Sequence, residues 1–496
     1  MSRLFENAAA FPSDALAVED ADGRATYAEL LERSAFAARF LLRFFECSDL
    51  AERRVAFLCP PGAQYAAVQW GIWRGGGVAV PLGLTHPPAE LEYAARDSQA
   101  SALIAGVEEA ARLNSAAQNI NRPLLTAPLP DAPPGSLPRL PPERRAMILY
   151  TSGTTGRPKG VVSTHGNLDA QTRCLVEAWE WSPADRMLHA LPLHHIHGIV
   201  NGLTCALYSG AACEFLPRFD ADAVWERLAE GGVSVFMGVP TMYSRLIQAW
   251  EAAPMEKRAV WSKAAGRLRL AVSGSAALPV SLFEKWRALS GQALLERYGM
   301  TEFGMALSNP YRGERLPGTV GFPLPDMEAR LTPAGEIETR GEAVFLEYWN
   351  RPKETAEAFQ DGWFRTGDIA VKDESGRFRI LGRRSVDIVK TGGYKVSALE
   401  VENALMELPQ IQECAVVGLP DEEWGERICA AAVLKNGAEL NLKTLRNLAK
   451  ERLAVYKAPS RLLVVKALPR NAMGKVMKPE VKRLFERIEE TVGRSA

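Results

Sequence analysis

The chain has 496 residues, and its 59 lysines and arginines balance 59 acidic residues, so the formal net charge is zero. This length predicts more than one domain, and the hydrophobic share of 47% supplies ample material for a core. The neutral balance gives no electrostatic reason to expect a nucleic acid or an anionic membrane as partner. No apolar run approaches the roughly 20 residues that a membrane span needs.

The cysteines and the N-terminus favour a cytoplasmic protein. Seven cysteines are scattered along the chain without a CxxC pair. Their odd number and spacing predict reduced, mostly buried thiols rather than disulfides or metal ligands. The first twenty residues carry Arg3 as their basic side chain against several acidic ones, which is unlike a secretory signal or an Arg-rich transit peptide.

The first part of the chain alternates buried strands with amphipathic helices. Residues 53–60, 75–82 and 100–106 read as strands, with a helical pattern between the first two. This alternation favours βαβ units and a largely parallel sheet. Residues 126–145 are rich in proline and predict a surface connector, after which the alternation resumes.

The composition changes near residue 310. Short alternating strands with glycine turns predict a small β-rich lobe up to about residue 385, and a separate strand–helix pattern follows. We therefore expect an α/β protein with two domains. The large N-terminal domain (1–383) has βαβ-type subdomains plus the β-rich lobe, and the small α+β C-terminal domain covers 384–496.

Residues 151–160, TSGTTGRPKG, follow the apolar run AMILY and hold the strongest functional signal. Bare backbone N–H groups, several hydroxyls and one lysine suit the oxygens of a polyphosphate. The pattern differs from the Walker loop, because the hydroxyl residues precede the lysine. The alternative is a flexible turn between two strands.

Further motifs follow in a fixed order. They are LPLHHIHGIV (191–200), RYGMTE (297–302), WFRTGD (363–368), LGRR (381–384), KTGGYKVS (390–397) and PRNAMGKV (469–476). Together with the first loop, they make the chain resemble the adenylate-forming enzymes along essentially its whole length. That superfamily includes acyl-CoA synthetases, firefly-type luciferases and the adenylation domains of peptide synthetases.

The resemblance implies two half-reactions. A carboxylate attacks the α-phosphate of Mg-ATP, giving an acyl-adenylate and pyrophosphate, and the thiol of coenzyme A then displaces AMP. The resemblance also implies that Glu302 binds Mg²⁺ and that Thr301 hydrogen-bonds the α-phosphate. The β- and γ-phosphates would be held by Thr151, Ser152, Gly153, Thr154, Thr155, Gly156 and Lys159.

The same resemblance assigns the remaining nucleotide and catalytic residues. Asp368 would accept the ribose hydroxyls, and Arg383 would assist at the ribose or the phosphates. Lys475 would bridge the attacking carboxylate and the α-phosphate, where charge builds in the transition state; the alternative is a solvated surface lysine. The small domain would rotate between the steps, so that Lys475 withdraws and the loop with Gly392 and Gly393 lines the pantetheine channel.

Within the superfamily, the chain most resembles malonyl-CoA synthetases, through LPLHHIHGIVN, VSGSAALP, LLERYGMTE and SVDIVKTGGYKVSALEVE. A second carboxylate on the acid needs a cation, because burying it unpaired costs several kcal/mol or more. The candidates for that contact are Arg297, His197 and Arg245. Ser273 and Gly274 are expected to contact the substrate carboxylate or the adenine.

Alternatives remain at this stage. Arg245 fits a solvated helix face equally well. His197 fits a core histidine, and HHxH invites a metal interpretation that no carboxylate or cysteine completes. The sequence predicts a malonate–CoA ligase that tolerates methylmalonate and takes ATP and coenzyme A. A short- or medium-chain fatty acyl-CoA synthetase, a ligase that loads a carrier protein, and a non-catalytic nucleotide binder are the rivals. The oligomeric state is not indicated.

Overall fold

A computed structural model describes residues 2–151, 158–470 and 476–493 of the chain. Its helices are α1 (Ser2–Ala10), α2 (Tyr27–Phe44), α3 (Ala63–Arg74), α4 (Pro88–Asp97), α5 (Ala110–Asn119), α6 (His165–Ala178), α7 (Cys205–Tyr208), α8 (Ala221–Glu230), α9 (Pro240–Ala252), α10 (Met255–Gly266), α11 (Val280–Ser290), α12 (Pro352–Ala358), α13 (Ala398–Met406), α14 (Leu442–Lys450) and α15 (Lys478–Gly493), with a π-helix at His197–Thr204 and a 3₁₀-helix at Val455–Lys457.

The strands are β1 (Leu16–Asp20), β2 (Gly23–Thr26), β3 (Arg54–Leu58), β4 (Val78–Pro81), β5 (Ala102–Ala105), β6 (Leu124–Thr126), β7 (Arg145–Thr151), β8 (Lys159–Thr164), β9 (Arg186–His189), β10 (Ala212–Phe215), β11 (Val235–Gly238), β12 (Leu270–Ser273), β13 (Leu295–Met300), β14 (Gly304–Ser308), β15 (Phe322–Pro323), β16 (Met327–Leu331), β17 (Glu336–Gly341), β18 (Glu347–Tyr348), β19 (Phe359–Gln360), β20 (Trp363–Lys372), β21 (Phe378–Arg383), β22 (Ile388–Thr391), β23 (Tyr394–Ser397), β24 (Ile411–Asp421), β25 (Gly425–Leu434) and β26 (Arg461–Val464).

The predicted βαβ organisation is confirmed. One sheet has the order β18-β8-β7-β4-β3-β5-β6, and its central strands run parallel. The helix expected between the first two strands is α3, which is buried on nearly all sides because it packs against α2 as well as the sheet. Strands buried on both faces are continuous apolar runs, which is why these segments show little alternation.

A second sheet carries most of the candidate site. Its order is β15-β14-β13-β12-β11-β9-β10-β1-β2, parallel from β1 through β10, β9, β11 and β12 to β13, and antiparallel at both edges. In open parallel sheets, ligands bind beyond the carboxyl ends of the strands. Here β9 ends at His189, β11 at Gly238 and β12 at Ser273, so the motifs that follow them meet at one edge.

The β-rich lobe is real but smaller than the sequence suggests. Its sheet has the order β16-β17-β20-β19, and β21 pairs with β20. Two segments assigned to it belong elsewhere: β15 extends the second sheet, and β18 pairs with β8 of the first. Both are two-residue strands, too short for alternation to place, and the partner of β18 lies far away in sequence.

The C-terminal residues build their own sheet, β23-β22-β25-β24, with β26 parallel to β25. The predicted amphipathic helix is α13, whose N-terminus is capped because the Ser397 side chain accepts a hydrogen bond from the backbone N–H of Glu400. Apolar residues of α13, α14 and these strands form a core separate from that of the large sheets.

Other sequence predictions can also be checked. Residues 127–144 contain neither helix nor strand and are largely exposed, as expected for a connector. All seven cysteines are free, and five of them are buried. Over the described residues, no helix is both long and apolar enough to cross a bilayer.

Candidate active site

Strand β13 and the turn after it organise the candidate site. Successive residues of a strand point to opposite faces, so Arg297 and Tyr298 face different groups of residues. Thr301 and Glu302 follow in the tight turn that leads into β14. The motif RYGMTE therefore contributes side chains to several parts of the site from one short segment.

The Arg297 side chain is buried and has unused hydrogen-bonding capacity. The residue is 3% exposed, and its Nε and Nη2 atoms have no hydrogen-bond partner among the described residues. Burial lowers the pKa of the guanidinium to about 9, with Glu296 opposing this effect, so Arg297 is cationic at neutral pH. A buried charge without a partner is costly, and such a group marks a place for an anion.

His197 lies close to this cation. Burial is the main reason why the pKa of His197 is lowered well below its usual range, and the charge of Arg297 adds to the effect. The ring is therefore neutral at physiological pH. Its Nδ1 lies 3.2 Å from the hydroxyl of Ser275, whereas its buried Nε2 has no partner in the described part of the chain. If Ser275 donates to Nδ1, Nε2 carries the proton and can donate to an anion.

The loop after β12 completes this group. Ser273 is fully buried, and none of the described residues hydrogen-bonds to its hydroxyl. A Cβ atom on Gly274 would lie 2.3 Å from Cζ of Arg297, so only glycine lets the guanidinium occupy its place. Ser275 has a φ of 67°, a left-handed conformation that is uncommon outside glycine. We call Arg297, His197 and residues 273–275 the acid pocket.

Arg245 is placed differently from the other predicted substrate residues. It lies on α9 with its side chain exposed, while its neighbours Tyr243 and Leu246 are buried. The electrostatic influences on the pKa values of His197 and Arg297 do not include Arg245. Its role as a contact to the acid remains a prediction. Its exposure agrees with the alternative, an arginine on a solvated helix face.

Glu302 is the buried carboxylate of the site. Burial raises its pKa above the usual range, and a hydrogen bond of 2.8 Å from the Tyr348 hydroxyl opposes the shift. The ammonium of Lys159 lies 4.9 Å from the centre of the Tyr348 ring. Tyr348 therefore contacts both the lysine of TSGTTGRPKG and the glutamate of RYGMTE.

The rest of the phosphate loop is only partly described. Thr151 ends β7 and pairs with Lys159 at the start of β8, so the loop closes an antiparallel pair of strands. Ser152, Gly153, Thr154, Thr155 and Gly156 lie outside the described residues. Thr301 is half-buried in the turn beside Glu302. The roles of these residues toward phosphate remain predictions.

The predicted ribose residues form a connected pair. The Arg383 Nε donates to Asp368 Oδ1 over 3.0 Å, and the Tyr298 hydroxyl donates to Oδ2 over 2.6 Å. Gly367, just before Asp368, has a φ of 75°, which explains the glycine of WFRTGD. The carboxylate is buried, and each of its oxygens retains a second lone pair for a further donor.

The motif KTGGYKVS forms a hairpin in the C-terminal sheet. Gly392 and Gly393 form the turn between β22 and β23, with φ angles of 55° and 83°. The exposed aromatic residues Tyr394 and Trp424 flank this turn. Lys475 lies outside the described residues, so its catalytic role remains a prediction.

Sequence reasoning missed three residues that touch the predicted ones. Tyr298 holds Asp368, Tyr348 holds Glu302, and Ser275 holds His197. Tyr298 lies inside RYGMTE and Ser275 inside VSGSAAL, so both carried a usable signal. Tyr348 comes from a two-residue strand with no motif of its own, and only the fold brings it to the site.

Comparison with known proteins is decisive for the family. The model of the AMP-binding enzyme family matches residues 4–349, and the model of the AMP-binding enzyme C-terminal domain matches residues 400–475. This chain belongs to the AMP-binding enzyme family. The adenylate-forming fold expected from the motifs is thereby confirmed.

Individual members of the family are similar over almost the whole chain. The mitochondrial malonate–CoA ligase ACSF3 of Mus musculus is 46% identical, over 97% of this chain and 90% of the mouse protein. The crystal structure of ATP-bound MatB from Rhodopseudomonas palustris has a TM-score of 0.89 at 33% identity, covering 98% of this chain and 99% of MatB. A malonyl-CoA ligase ternary product complex with methylmalonyl-CoA and AMP has a TM-score of 0.67 at 37% identity, covering 92% and 97%.

Family membership implies Mg²⁺ with the nucleotide, and the chemistry of Glu302 fits this ion. A buried carboxylate with a raised pKa gains from a cation beside it. Mg²⁺ in nucleotide sites takes one or two carboxylates and completes its shell with phosphate oxygens and water. Glu302 would hold the ion, with Tyr348 orienting the carboxylate, and the ion would neutralise charge on the phosphates.

Proposed function

We propose that this AMP-binding enzyme is an ATP-dependent malonate–CoA ligase. It forms malonyl-adenylate and pyrophosphate in the first step, and malonyl-CoA and AMP in the second. The names of the relatives support this assignment, since the mouse protein is a malonate–CoA ligase and the product complex contains methylmalonyl-CoA and AMP. The substrates are therefore malonate, ATP and coenzyme A.

One observation carries the assignment of the acid. Arg297 is a buried cation with unpartnered nitrogens, and the unpartnered Nε2 of His197 lies near it. A fatty acid would place methylene groups against this guanidinium and leave its charge unpaired, at a cost of several kcal/mol. A dicarboxylate supplies a second carboxylate that pairs with the cation. The short- and medium-chain fatty acyl-CoA synthetase is the weaker alternative for this reason.

Methylmalonate is proposed as a second substrate. It differs from malonate by one methyl group, and a pocket discriminates such a group by only about 1–3 kcal/mol. The charge requirement of the acid pocket is the same for both acids.

The nucleotide roles follow from the matched motifs. We propose that Thr151, residues 152–156 and Lys159 hold the β- and γ-phosphates, and that Thr301 contacts the α-phosphate. Asp368 and Arg383 bind the ribose side, and Lys475 drives the first step. Gly392 and Gly393 line the path of the pantetheine chain in the second step.

The domain boundary after Arg383 is part of the proposal. Strand β21 belongs to the β-rich lobe and ends at Arg383, whereas β22 begins at Ile388 in the C-terminal sheet. The two family models leave the same region between them. A cytoplasmic location stays a prediction; the mouse relative is named as mitochondrial.

A panel of acids tests the function. Malonate and methylmalonate should release pyrophosphate with ATP far faster than acetate or octanoate, and malonate should give malonyl-CoA when coenzyme A is added. Arg297→Ala should lower kcat/KM for malonate by about 100-fold or more, since the loss of a buried charge pair costs about 3–5 kcal/mol. Its acetate activity should change much less.

Arg287→Ala is the matched control, because this arginine is 53% exposed on α11 and forms an ion pair with nearby Glu284. Acetate or octanoate outperforming malonate would remove the dicarboxylate assignment. Equal losses for malonate and acetate in Arg297→Ala would remove the role of Arg297. Arg245→Ala, measured with the same acids, decides whether that exposed arginine contributes.

A further inference from the structure

Lys478 is a buried lysine close to the loop that carries Lys475. It is the first residue of α15, and its side chain is 9% exposed. Its ammonium lies 2.6 Å from Asp387 Oδ1 and 2.8 Å from Glu402 Oε1. A lysine is rarely buried unless it is paired, so this arrangement is a defined anchor.

The described residues on either side of 471–475 are held together. Arg470 and Val476 form an antiparallel bridge, and the backbone N–H of Met477 donates to the carbonyl of Pro469 over 2.8 Å. Lys478 comes immediately after these contacts. Its ion pairs therefore fix the position of the chain shortly after Lys475.

Asp387 joins this anchor to the nucleotide side of the site. Its Oδ2 accepts a hydrogen bond of 2.9 Å from the backbone N–H of Arg383. The Arg383 side chain donates in turn to Asp368. A continuous series of polar contacts thus runs from Asp368 through Arg383 and Asp387 to Lys478.

We propose that Lys478 and Asp387 are positioning residues for the first half-reaction. They hold the base of the Lys475 loop at a set distance from the Asp368–Arg383 pair, so that the Lys475 ammonium reaches the reacting carboxylate and α-phosphate. The inference rests on the proposed role of Lys475. A displacement of about 1 Å in a reacting group can cost about 100-fold in rate.

A purely structural role for Lys478 makes a different prediction. Glu402 Oε1 also accepts a hydrogen bond from the backbone N–H of Val416, so the cluster contributes to the core of the C-terminal sheet. Loss of that structure would impair every step that uses the C-terminal residues. Loss of positioning would impair only the step that uses Lys475.

The test measures the two half-reactions separately in Lys478→Met. The first is acid-dependent exchange of labelled pyrophosphate into ATP, run with the acid that the wild type activates best. The second is formation of the thioester from synthetic acyl-adenylate and coenzyme A. We expect the exchange rate to fall by about 10- to 100-fold, with the KM values for ATP and acid little changed and the second step retained.

Four further variants make the result decisive. Lys478→Arg keeps the cation and should recover most of the exchange rate. Arg483→Met removes an exposed cation from the same helix and should have no effect. Lys478→Met combined with Glu402→Gln avoids an unpaired buried carboxylate and should keep the same selective defect. Lys475→Ala should abolish exchange.

Equal losses in both half-reactions, in the single and the double variant, would overturn the proposal in favour of a structural role. Unchanged exchange in Lys478→Met would overturn it as well. Full exchange in Lys475→Ala would remove the role of Lys475 and this proposal with it. A wild type that exchanges with another acid but not with malonate would contradict the proposed function alone.

Discussion

Residue 274 determines where the Arg297 guanidinium can lie. A methyl group at this position would come within 2.3–2.6 Å of three guanidinium atoms of Arg297, namely Cζ, Nε and Nη1. Atoms that are not bonded to each other cannot approach so closely, so a larger residue forces Arg297 to move. The identity of residue 274 therefore shapes the acid pocket even though glycine offers no side chain to the substrate.

Gly274→Ala should reduce kcat/KM for malonate by about 10- to 100-fold, because overpacking a buried site typically costs about 1–3 kcal/mol. The KM for ATP should change less, since Lys159 lies on β8 and Asp368 on β20 rather than on this segment. Steady-state kinetics with each substrate varied in turn would measure both. Gly135→Ala is the control, because a Cβ there meets nothing within 4 Å. Unchanged malonate kinetics would show that Arg297 can relocate freely.

Many of the individual site residues could be predicted because they lie within contiguous motifs. Arg297, Glu302, Asp368 and Arg383 were named from the sequence. The structure pairs Glu302 with Tyr348 and Asp368 with Arg383, and it buries Arg297 with two nitrogens unpartnered among the described residues. Tyr348 could not be predicted, since it approaches Glu302 only after β18 pairs with β8. Arg245 was also named from the sequence as a candidate contact to the second carboxylate, but it lies on an exposed helix face.

Among the elements, the β22–β23 hairpin depends on two glycines in different ways. Both have positive φ, which costs a non-glycine residue about 1 kcal/mol or more. A Cβ on Gly392 would also lie 2.9 Å from the ring of Trp424, whereas one on Gly393 would meet nothing within 4 Å. The two positions therefore separate backbone strain from close packing.

Gly392→Ala should lower the unfolding temperature more than Gly393→Ala, because only the former adds a clash to the same backbone strain. Thermal unfolding followed by circular dichroism would compare them. If Gly393 lines the pantetheine path, Gly393→Ala should still raise the KM for coenzyme A while pyrophosphate exchange stays normal. Identical unfolding temperatures would mean that Trp424 moves aside at no cost.

Secondary structure could be predicted where burial sets a clear pattern. The strands β3, β4 and β5 and helix α13 were found because their apolar spacing is regular. The π-helix at His197–Thr204 was not, since a shift from four- to five-residue hydrogen bonding has no simple sequence signal. This shift lies at the residue that contributes a donor to the acid pocket, as is frequent for π-helical turns at functional sites.

At the scale of the whole molecule, Glu296 links stability to pH. Burial raises the pKa of Glu296 from its ordinary value of 4.5 to about 8. In the folded protein the carboxyl keeps its proton up to about pH 8, whereas in the unfolded chain it loses it near pH 4.5. Its contribution to stability is therefore complete below pH 4.5 and falls by about 1.4 kcal/mol per pH unit until about pH 8.

Glu296→Gln should flatten this dependence. The amide can still accept the hydrogen bond that Glu296 Oε1 receives from the backbone N–H of Leu278. Unfolding midpoints between pH 5 and pH 8 should fall for the wild type and change less for the variant. Glu284→Gln, at a half-exposed position on α11, should follow the wild type. Parallel curves for wild type and Glu296→Gln would contradict a raised pKa.

The overall architecture was predictable because the order of the motifs matches a known fold. Contacts that join segments distant in sequence were not predictable. The ion cluster of Asp387, Glu402 and Lys478 brings together a strand boundary, a helix and the start of α15. Asp387 and Glu402 lie within SVDIVKTGGYKVSALEVE, but nothing in that motif indicates their pairing with Lys478. Such clusters depend on tertiary packing, which single-sequence patterns do not report.

The unpartnered Arg297 has a consequence for the resting enzyme. Without its acid, the protein keeps an isolated positive charge in its interior, and the folded state is held at a higher free energy than it would have with that charge matched. The second carboxylate of malonate would neutralise this charge, while the first carboxylate enters the reaction. Malonate alone, before any nucleotide binds, should then slow heat inactivation, and acetate at the same concentration should not.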